Sequence, residues 1–261
     1  MISYPNAKLN LGLDVLRKRP DGFHDLESLF IPCKDLCDVL EIQEAKEFSI
    51  EIIKNGRVMD GSVHGEWNPK KDLVVQAYNL LKKDFFLPAV RIRLEKHIPV
   101  GAGLGGGSAD AAFALRMLDE MFDLYMPYVM LEDYAAQLGS DCPFFVRNKP
   151  MFVSGRGDVL EEMEVPQLEG HRIEVVTPDI SVSTKEAYAG IVPAVPQRPL
   201  RELLALPLEN WREAGVKNDF ERTVFALHPE LARLKEELYE KGATYASMSG
   251  SGSALFGIFL Y

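Results

Sequence analysis

The chain is poor in the residues that staple, chelate or anchor. Its 261 residues include only three cysteines, Cys33, Cys37 and Cys142. That is too few for a disulfide framework, and Cys33 and Cys37 lack the C-x-x-C spacing of a redox pair, so a reducing cytoplasm is the expected location. The five histidines (His24, His64, His97, His171 and His228) are scattered without metal-ligand spacing, which argues against a zinc enzyme. Basic charge is in deficit. Against 39 Asp+Glu stand 29 Lys+Arg, a formal net charge of −10. Such a surface repels nucleic acid and anionic lipid, and a phosphate-bearing ligand would have to be held by backbone N–H groups and a few placed cations. Long apolar runs are also missing. The opening MISYPNAKLNLG has no basic stretch leading into an apolar one. The uncharged tract 242–261 is interrupted by glycine and serine, so it reads as a loop and a core strand rather than a membrane span. Neither a nucleic-acid partner nor a membrane is expected.

What the chain does contain is ordinary for a soluble globular protein: 47% hydrophobic and 26% charged residues. At roughly 100–200 residues per domain, the length allows one large domain or two modest ones. Strand and helix signals alternate, which predicts an α/β or α+β architecture. In 7–15, Ala7, Leu9, Leu11, Leu13 and Val15 point one way while Lys8, Asn10, Gly12 and Asp14 point the other. A Pro-Asp-Gly turn at 20–22 reverses the chain. Residues 90–95 alternate as a strand with one wet face. The spacing of Ala111, Leu115, Leu118 and Phe122 predicts a helix over 108–122, and a second is predicted over 131–138. Residues 151–153 and 159–163 flank Ser-Gly-Arg-Gly-Asp as a β-hairpin, and a proline-rich connection covers 191–207. A helix from Pro229 carries the stripe Leu231, Leu234 and Leu238 and stops at Gly242, before a second glycine-serine run and an apolar strand over 254–260. The change of character near residue 150 predicts two lobes, 1–149 and 150–261.

The sequence PVGAGLGGGSAD at 99–110 is the strongest local feature. Gly101, Gly103 and Gly106 satisfy G-x-G-x-x-G, but a dinucleotide turn follows a fully apolar strand at once, whereas 90–95 alternates and Lys96-His97-Ile98-Pro99 intervenes. Glu132 is the acidic residue that would favour that reading. A Walker loop needs lysine where Gly107 stands. A mere flexible loop does not account for Gly103, Gly105, Gly106 and Gly107, whose density costs entropy unless backbone must approach a ligand closely. The remaining reading is a phosphate cradle of a third kind, with inward-turned N–H groups and a helix N-terminus aimed at the same point. Ser108 at the helix start would bond a phosphate oxygen or ligate Mg²⁺, or else serve as an ordinary N-cap. This residue alone does not decide between those roles.

The stretch 99–109 resembles the phosphate-binding signature of the GHMP kinases, and Met-Ser-Gly-Ser-Gly-Ser at 248–253 resembles their second glycine motif. Further matches in family order are AKLNLGL (7–13), RPDGFH (19–24), LGSDCPFF (138–145), GRG (155–157) and NDFE (218–221). Together they cover nearly the whole chain, and they are most similar to the members that act on a cytidine diphosphate-linked methylerythritol. The resemblance implies ATP-dependent phosphorylation of the 2-hydroxyl of that small molecule. It also implies an α+β, two-lobed fold: a ribosomal S5 domain 2-like N-terminal lobe and a ferredoxin-like C-terminal lobe, with the active site in the cleft. A monomer or homodimer is expected.

Residue by residue, the resemblance implies that Asp141 accepts or orients the substrate hydroxyl proton and that Lys8 pairs with it and stabilises charge on the transferring phosphoryl group. Alone, Gly139-Ser140-Asp141 would read as a turn or cap, and Lys8 as a solvated strand lysine. Positioning and electrostatics are most of what phosphoryl transfer asks of a protein. ATP is expected on Pro99, Gly101, Gly103, Leu104, Gly105, Gly106, Gly107, Ser108 and Ala109, with Lys96 near the adenine and Ser108 on Mg²⁺. The substrate is expected on Asn10, Phe23, His24, Thr184 and Tyr188. His24 would meet the cytosine edge, and Tyr188 would stack on its face, a contact worth ~1–3 kcal/mol per base. Without the family, His24 reads as a surface histidine after a turn and Tyr188 as core packing. Another family kinase, acting on mevalonate, homoserine or a sugar, and a non-catalytic nucleotide-binding protein are the rival readings. One departure stands out: Asp72-Leu73-Val74 replaces the family's usual Asn-Leu-Val, which removes a donor and puts the adenine contacts in question.

Overall fold

The computed structural model describes residues 1–59 and 67–261; His64 lies outside them. In chain order the strands and helices are β1 (Ile2–Ser3), β2 (Asn6–Lys18), β3 (His24–Cys37), β4 (Val39–Glu44), β5 (Ser49–Lys54), β6 (Arg57–Met59), α1 (Leu73–Phe85), β7 (Val90–Lys96), α2 (Gly106–Met121), α3 (Tyr128–Leu138) and α4 (Cys142–Arg147). Then follow β8 (Met151–Ser154), β9 (Val159–Glu162), β10 (His171–Val176), α5 (Thr184–Ala189), α6 (Leu200–Leu204), α7 (Trp211–Ala214), α8 (Phe220–Leu227), α9 (Pro229–Glu240), β11 (Tyr245–Met248) and β12 (Leu255–Leu260).

Two compact units emerge, each assembled from separate stretches. The first comprises Met1–Lys8, Pro32–Val100 and Gly105–Lys149. Its sheet runs β1-β4-β7-β5-β6, all neighbours antiparallel except the parallel pair β5–β7. In β7, Val90, Ile92 and Leu94 are buried while Arg91 is exposed, the one-wet-face strand that its alternation predicts. Helix α1 packs on α2, and α4 packs on both α2 and α3. The buried stripe of α2 includes Ala111, Leu115 and Leu118.

The second unit comprises Leu9–Ile31, Gly101–Leu104 and Pro150–Tyr261. It holds most of the sheet β2-β3-β8-β9 and the whole of the sheet β10-β12-β11. The hairpin β8–β9 forms in antiparallel register, Met151 facing Glu162 and Ser154 facing Val159. Leu13, Val15, Phe220, Val224, Leu231, Leu238, Met248 and Leu255 share one apolar cluster. Helix α9 ends as its sequence predicts: Gly242 N–H bonds Tyr239 O and Ala243 N–H bonds Leu238 O, which satisfies two orphan carbonyls.

Three expectations need correction. Helix α2 starts at Gly106 rather than Ser108, because Gly105 takes the capping position, so Ser108 lies inside the first turn and is not its N-cap. Helix α3 begins at Tyr128, three residues before the apolar periodicity becomes visible. The proline-rich connection 191–207 contains α6, with Pro199 as its N-cap. Strand β11 has no counterpart among the predictions, since all four of its residues are buried and no alternation marks it.

Candidate active site

Strand β2 carries Lys8, and its setting differs from that of a surface strand. Both faces of β2 are buried from Asn6 to Val15, so the polar set Lys8, Asn10 and Asp14 is as enclosed as the apolar one. Burying an ammonium is costly unless a counter-charge is at hand. Lys8 Nζ lies 3.7 Å from Asp141 Oδ2. Burial pulls the Lys8 pKa below its ordinary value, and the Asp141 carboxylate opposes that pull. Asp141 holds the N-cap position of α4, yet its side chain makes no capping hydrogen bond. The carboxylate is therefore directed to other use, and its side chain keeps about a third of its surface exposed.

The second half of the glycine run meets Lys8 directly. Gly105, the N-cap of α2, has φ +71°, a left-handed conformation that L side chains adopt at a cost. A Cβ there would stand 3.1 Å from Lys8 Cγ and 3.0 Å from the Phe145 ring. Only glycine lets the start of α2 lie against the lysine stem. Gly106 packs on Ile98, while Gly107 is exposed. Ser108 hydrogen-bonds the Cys142 thiol, which places the hydroxyl beside the residue that follows Asp141. Ala109 is fully buried, its N–H bonded to Gly105 O. The first unit thus brings together Lys8, Asp141, Gly105 and Ser108. A separate cavity of about 760 Å³, lined among others by Met1, Phe113, Arg116 and Tyr128, shares none of these residues.

Lys96 ends β7 inside a buried ion cluster. Its ammonium bonds the carboxylates of Asp38 and Asp110, whose side chains are 0% and 2% exposed. The other oxygen of Asp38 accepts the N–H groups of His97 and Ile98, so the chain entering the glycine run is tied to β7 and α2. Burial, with the neighbouring Asp38 charge, pushes the Asp110 carboxyl up to about 8, against the pull of Lys96. Pro99 is half-buried just beyond. Asp72 is the N-cap of α1, accepting from Val74 N–H at 2.9 Å and from Trp67 Nε1–H at 3.0 Å. Aspartate caps as well as asparagine does, which explains how the departure is accommodated locally. Glu132, the acidic residue of the dinucleotide reading, pairs instead with Arg147.

The second unit gathers the other expected residues. His24 and Tyr188 are stacked, with ring centroids 4.9 Å apart and planes 25° apart, and Tyr188 sets its edge against Phe220 at 4.7 Å. Phe23 is 57% exposed under the guanidinium of Arg156, which belongs to the Gly-Arg-Gly stretch. Thr184 is exposed at the first position of α5, behind the capping box of Ser183 and Glu186. Asn10 is 1% exposed: its amide donates to Ser28 Oγ at 3.0 Å and accepts from Ser249 Oγ at 3.5 Å. The first half of the glycine run lies on the second glycine loop. A Cβ on Gly103 would overlap Ser249 O at 2.1 Å, Ser249 Oγ donates to Gly103 O at 3.1 Å, and Ala254 N–H donates to Ala102 O at 3.1 Å. Gly101 is exposed and Leu104 buried. Ser249, Asn218 and Glu221 went without roles in the sequence reading, although the motifs containing them were visible.

The chain is similar to known proteins along nearly its whole length. The family model for the GHMP kinases N terminal domain matches residues 72–149, and that for the GHMP kinases C terminal domain matches residues 191–260. A protein of Azobacteroides pseudotrichonymphae named 4-diphosphocytidyl-2-C-methyl-D-erythritol kinase is 47% identical over 260 residues, 99% of this chain and 93% of its own. The protein of the same name from Bacteroides thetaiotaomicron is 48% identical over 263 residues, 99% of this chain and 92% of its own. A crystal structure of 4-(cytidine 5'-diphospho)-2C-methyl-D-erythritol kinase superposes with a TM-score of 0.80 at 32% identity, covering 98% of this chain and 89% of that one. The Methanococcus jannaschii mevalonate kinase shares the fold at a TM-score of 0.59 and 14% identity. With near-complete coverage by such relatives, and with both family models matched, the chain belongs to the GHMP kinases, a family of ATP-dependent kinases.

Proposed function

We propose that this enzyme transfers the γ-phosphoryl group of ATP to the 2-hydroxyl of 4-diphosphocytidyl-2-C-methyl-D-erythritol in the cytoplasm. The observation that carries the proposal is the pairing of buried Lys8 with the partly exposed Asp141 at 3.7 Å, with Gly105 at the start of α2 packed against the lysine stem. The full-length relatives named for this substrate support the choice of alcohol.

Asp141, uncommitted as a cap, takes or orients the proton of the attacking hydroxyl. The Lys8 ammonium stabilises the negative charge that spreads over the phosphoryl oxygens. The N-terminus of α2 and the loop before it hold the ATP phosphates through backbone N–H groups, with Ser108 as a side-chain donor. His24 and Tyr188, already stacked, offer an aromatic surface and a ring edge for cytosine. Asn10, Phe23 and Thr184 are proposed to complete the substrate contacts, and Lys96 the adenine side.

Mg²⁺ fits this donor set. The ion keeps most of its ligands from water and phosphate and needs one or two from protein, and no dense group of carboxylates or histidines is required. Ser108 Oγ, beside Cys142, the residue that follows Asp141, would supply a ligand. When bound, the ion neutralises charge on the β- and γ-phosphates.

Replacement of the base tests the proposal. Asp141→Asn is expected to lower kcat on the order of 10²–10⁴-fold, the usual worth of a positioned acid or base, with ATP affinity within about threefold of wild type. Full turnover by Asp141→Asn would remove the base assignment.

A further inference from the structure

The Asn218-Asp219-Phe220-Glu221 stretch at the start of α8 binds neither nucleotide nor alcohol in the scheme above, yet two of its side chains are almost wholly engaged with one loop. Asn218 is 2% exposed. Its two amide protons go to Met248 O and Gly250 O, both at 2.8 Å, and its carbonyl accepts Phe220 N–H at 3.0 Å. Glu221 is 9% exposed; one oxygen accepts Met248 N–H at 2.8 Å and Ser247 Oγ–H at 3.1 Å, and the other accepts from Lys235 Nζ at 2.6 Å. Six hydrogen bonds thus set the shape of the loop 248–253 or anchor the side chains that do so.

That loop in turn sets peptide planes in the first glycine run. Ser249 Oγ–H donates to Gly103 O, and Ala254 N–H donates to Ala102 O. A trans peptide is planar and points its N–H opposite to its C=O. Pinning the carbonyl of Ala102 therefore aims the N–H of Gly103, and pinning the carbonyl of Gly103 aims the N–H of Leu104. We infer that Asn218 and Glu221 are positioning residues for nucleotide binding: they hold the second glycine loop so that it orients two successive phosphate-facing amides of the first. The inference rests on the proposed function only in taking Gly103 and Leu104 as part of the phosphate cradle.

Direct titration with a non-hydrolysable ATP analogue and Mg²⁺, beside cytidine diphosphate as a probe of the cytosine side, tests it. Asn218→Asp keeps size and the Phe220 contact but sets a carboxylate oxygen against two carbonyls. Ser249→Ala removes one hydroxyl and leaves the backbone bonds. Asn218→Asp is expected to weaken ATP-analogue binding about tenfold or more and Ser249→Ala about threefold, with cytidine diphosphate affinity unchanged for Asn218→Asp. The double variant is expected to bind no worse than Asn218→Asp alone, since both act along one path. Unchanged ATP affinity in either variant, fully additive losses, or equal losses for both ligands tracking a fall in Tm would overturn the inference. Where Asn218→Asp does not fold, Ser249→Ala carries the test by itself. A wild-type protein that binds ATP but leaves the cytidylated alcohol untouched would sink the substrate assignment and leave this inference standing.

Discussion

At the scale of single residues, burial of charge is the governing fact. Lys8 is held inside the fold with a carboxylate set against it and water withdrawn. If its ammonium is the group that stabilises transfer, kcat falls on the alkaline side through a pKa below lysine's ordinary value, as burial dictates. Lys8→Ala is expected to lower kcat about 10²–10³-fold and to abolish that alkaline limb. A pH–rate profile of the variant that keeps the limb would assign it to another group. Asp110 makes a second, independent prediction. Its carboxyl holds a proton up to about 8 in the folded protein, whereas an unfolded aspartate loses it near 4. Between those values the native state binds more protons, so stability drops as pH rises, on the order of 1 kcal/mol per pH unit from this group. Asp110→Asn is expected to flatten the fall in Tm between pH 5 and 8, and an unchanged slope would contradict the shift.

Elements show which constraints are local. The alternation of β7, the hairpin β8–β9 and the stripe of α9 were legible because each is half-buried and its pattern reports its own environment. Strand β2 was legible as a strand but not as a doubly buried one, since Lys8, Asn10 and Asp14 look solvated until their partners are seen. Strand β11 left no periodic mark at all. The start of α2 was misplaced by two residues because glycine carries no helix signal, although here it is the glycine that the site requires. The two charged site residues were reached through family motifs; their distance and the packing of Gly105 on Lys8 depend on contacts between residues remote in sequence, which no local pattern encodes. Gly105→Ala puts a methyl 3.0 Å from Phe145 in a left-handed conformation, a strain of ~1–3 kcal/mol. Nucleotide affinity and kcat are expected to fall together; an alanine variant with normal kinetics would show that this close approach is not needed.

For the molecule as a whole, an acidic chain of net charge −10 has two anionic ligands in the proposed function, a tension that only local means can resolve. In the proposed function, main-chain N–H groups, a helix N-terminus and one buried ammonium take the place of a basic surface. Family membership fixes kinase chemistry, while in the proposed function the choice of alcohol falls to residues such as His24 and Tyr188, whose rings are stacked. ADP release measured with Mg·ATP and, in parallel, the cytidylated methylerythritol, mevalonate, homoserine and no acceptor is the most direct test. Rapid release is expected with the cytidylated alcohol alone, and background rates with the rest. Release that proceeds equally well with mevalonate or homoserine, or that ignores the cytidylated compound, would contradict it.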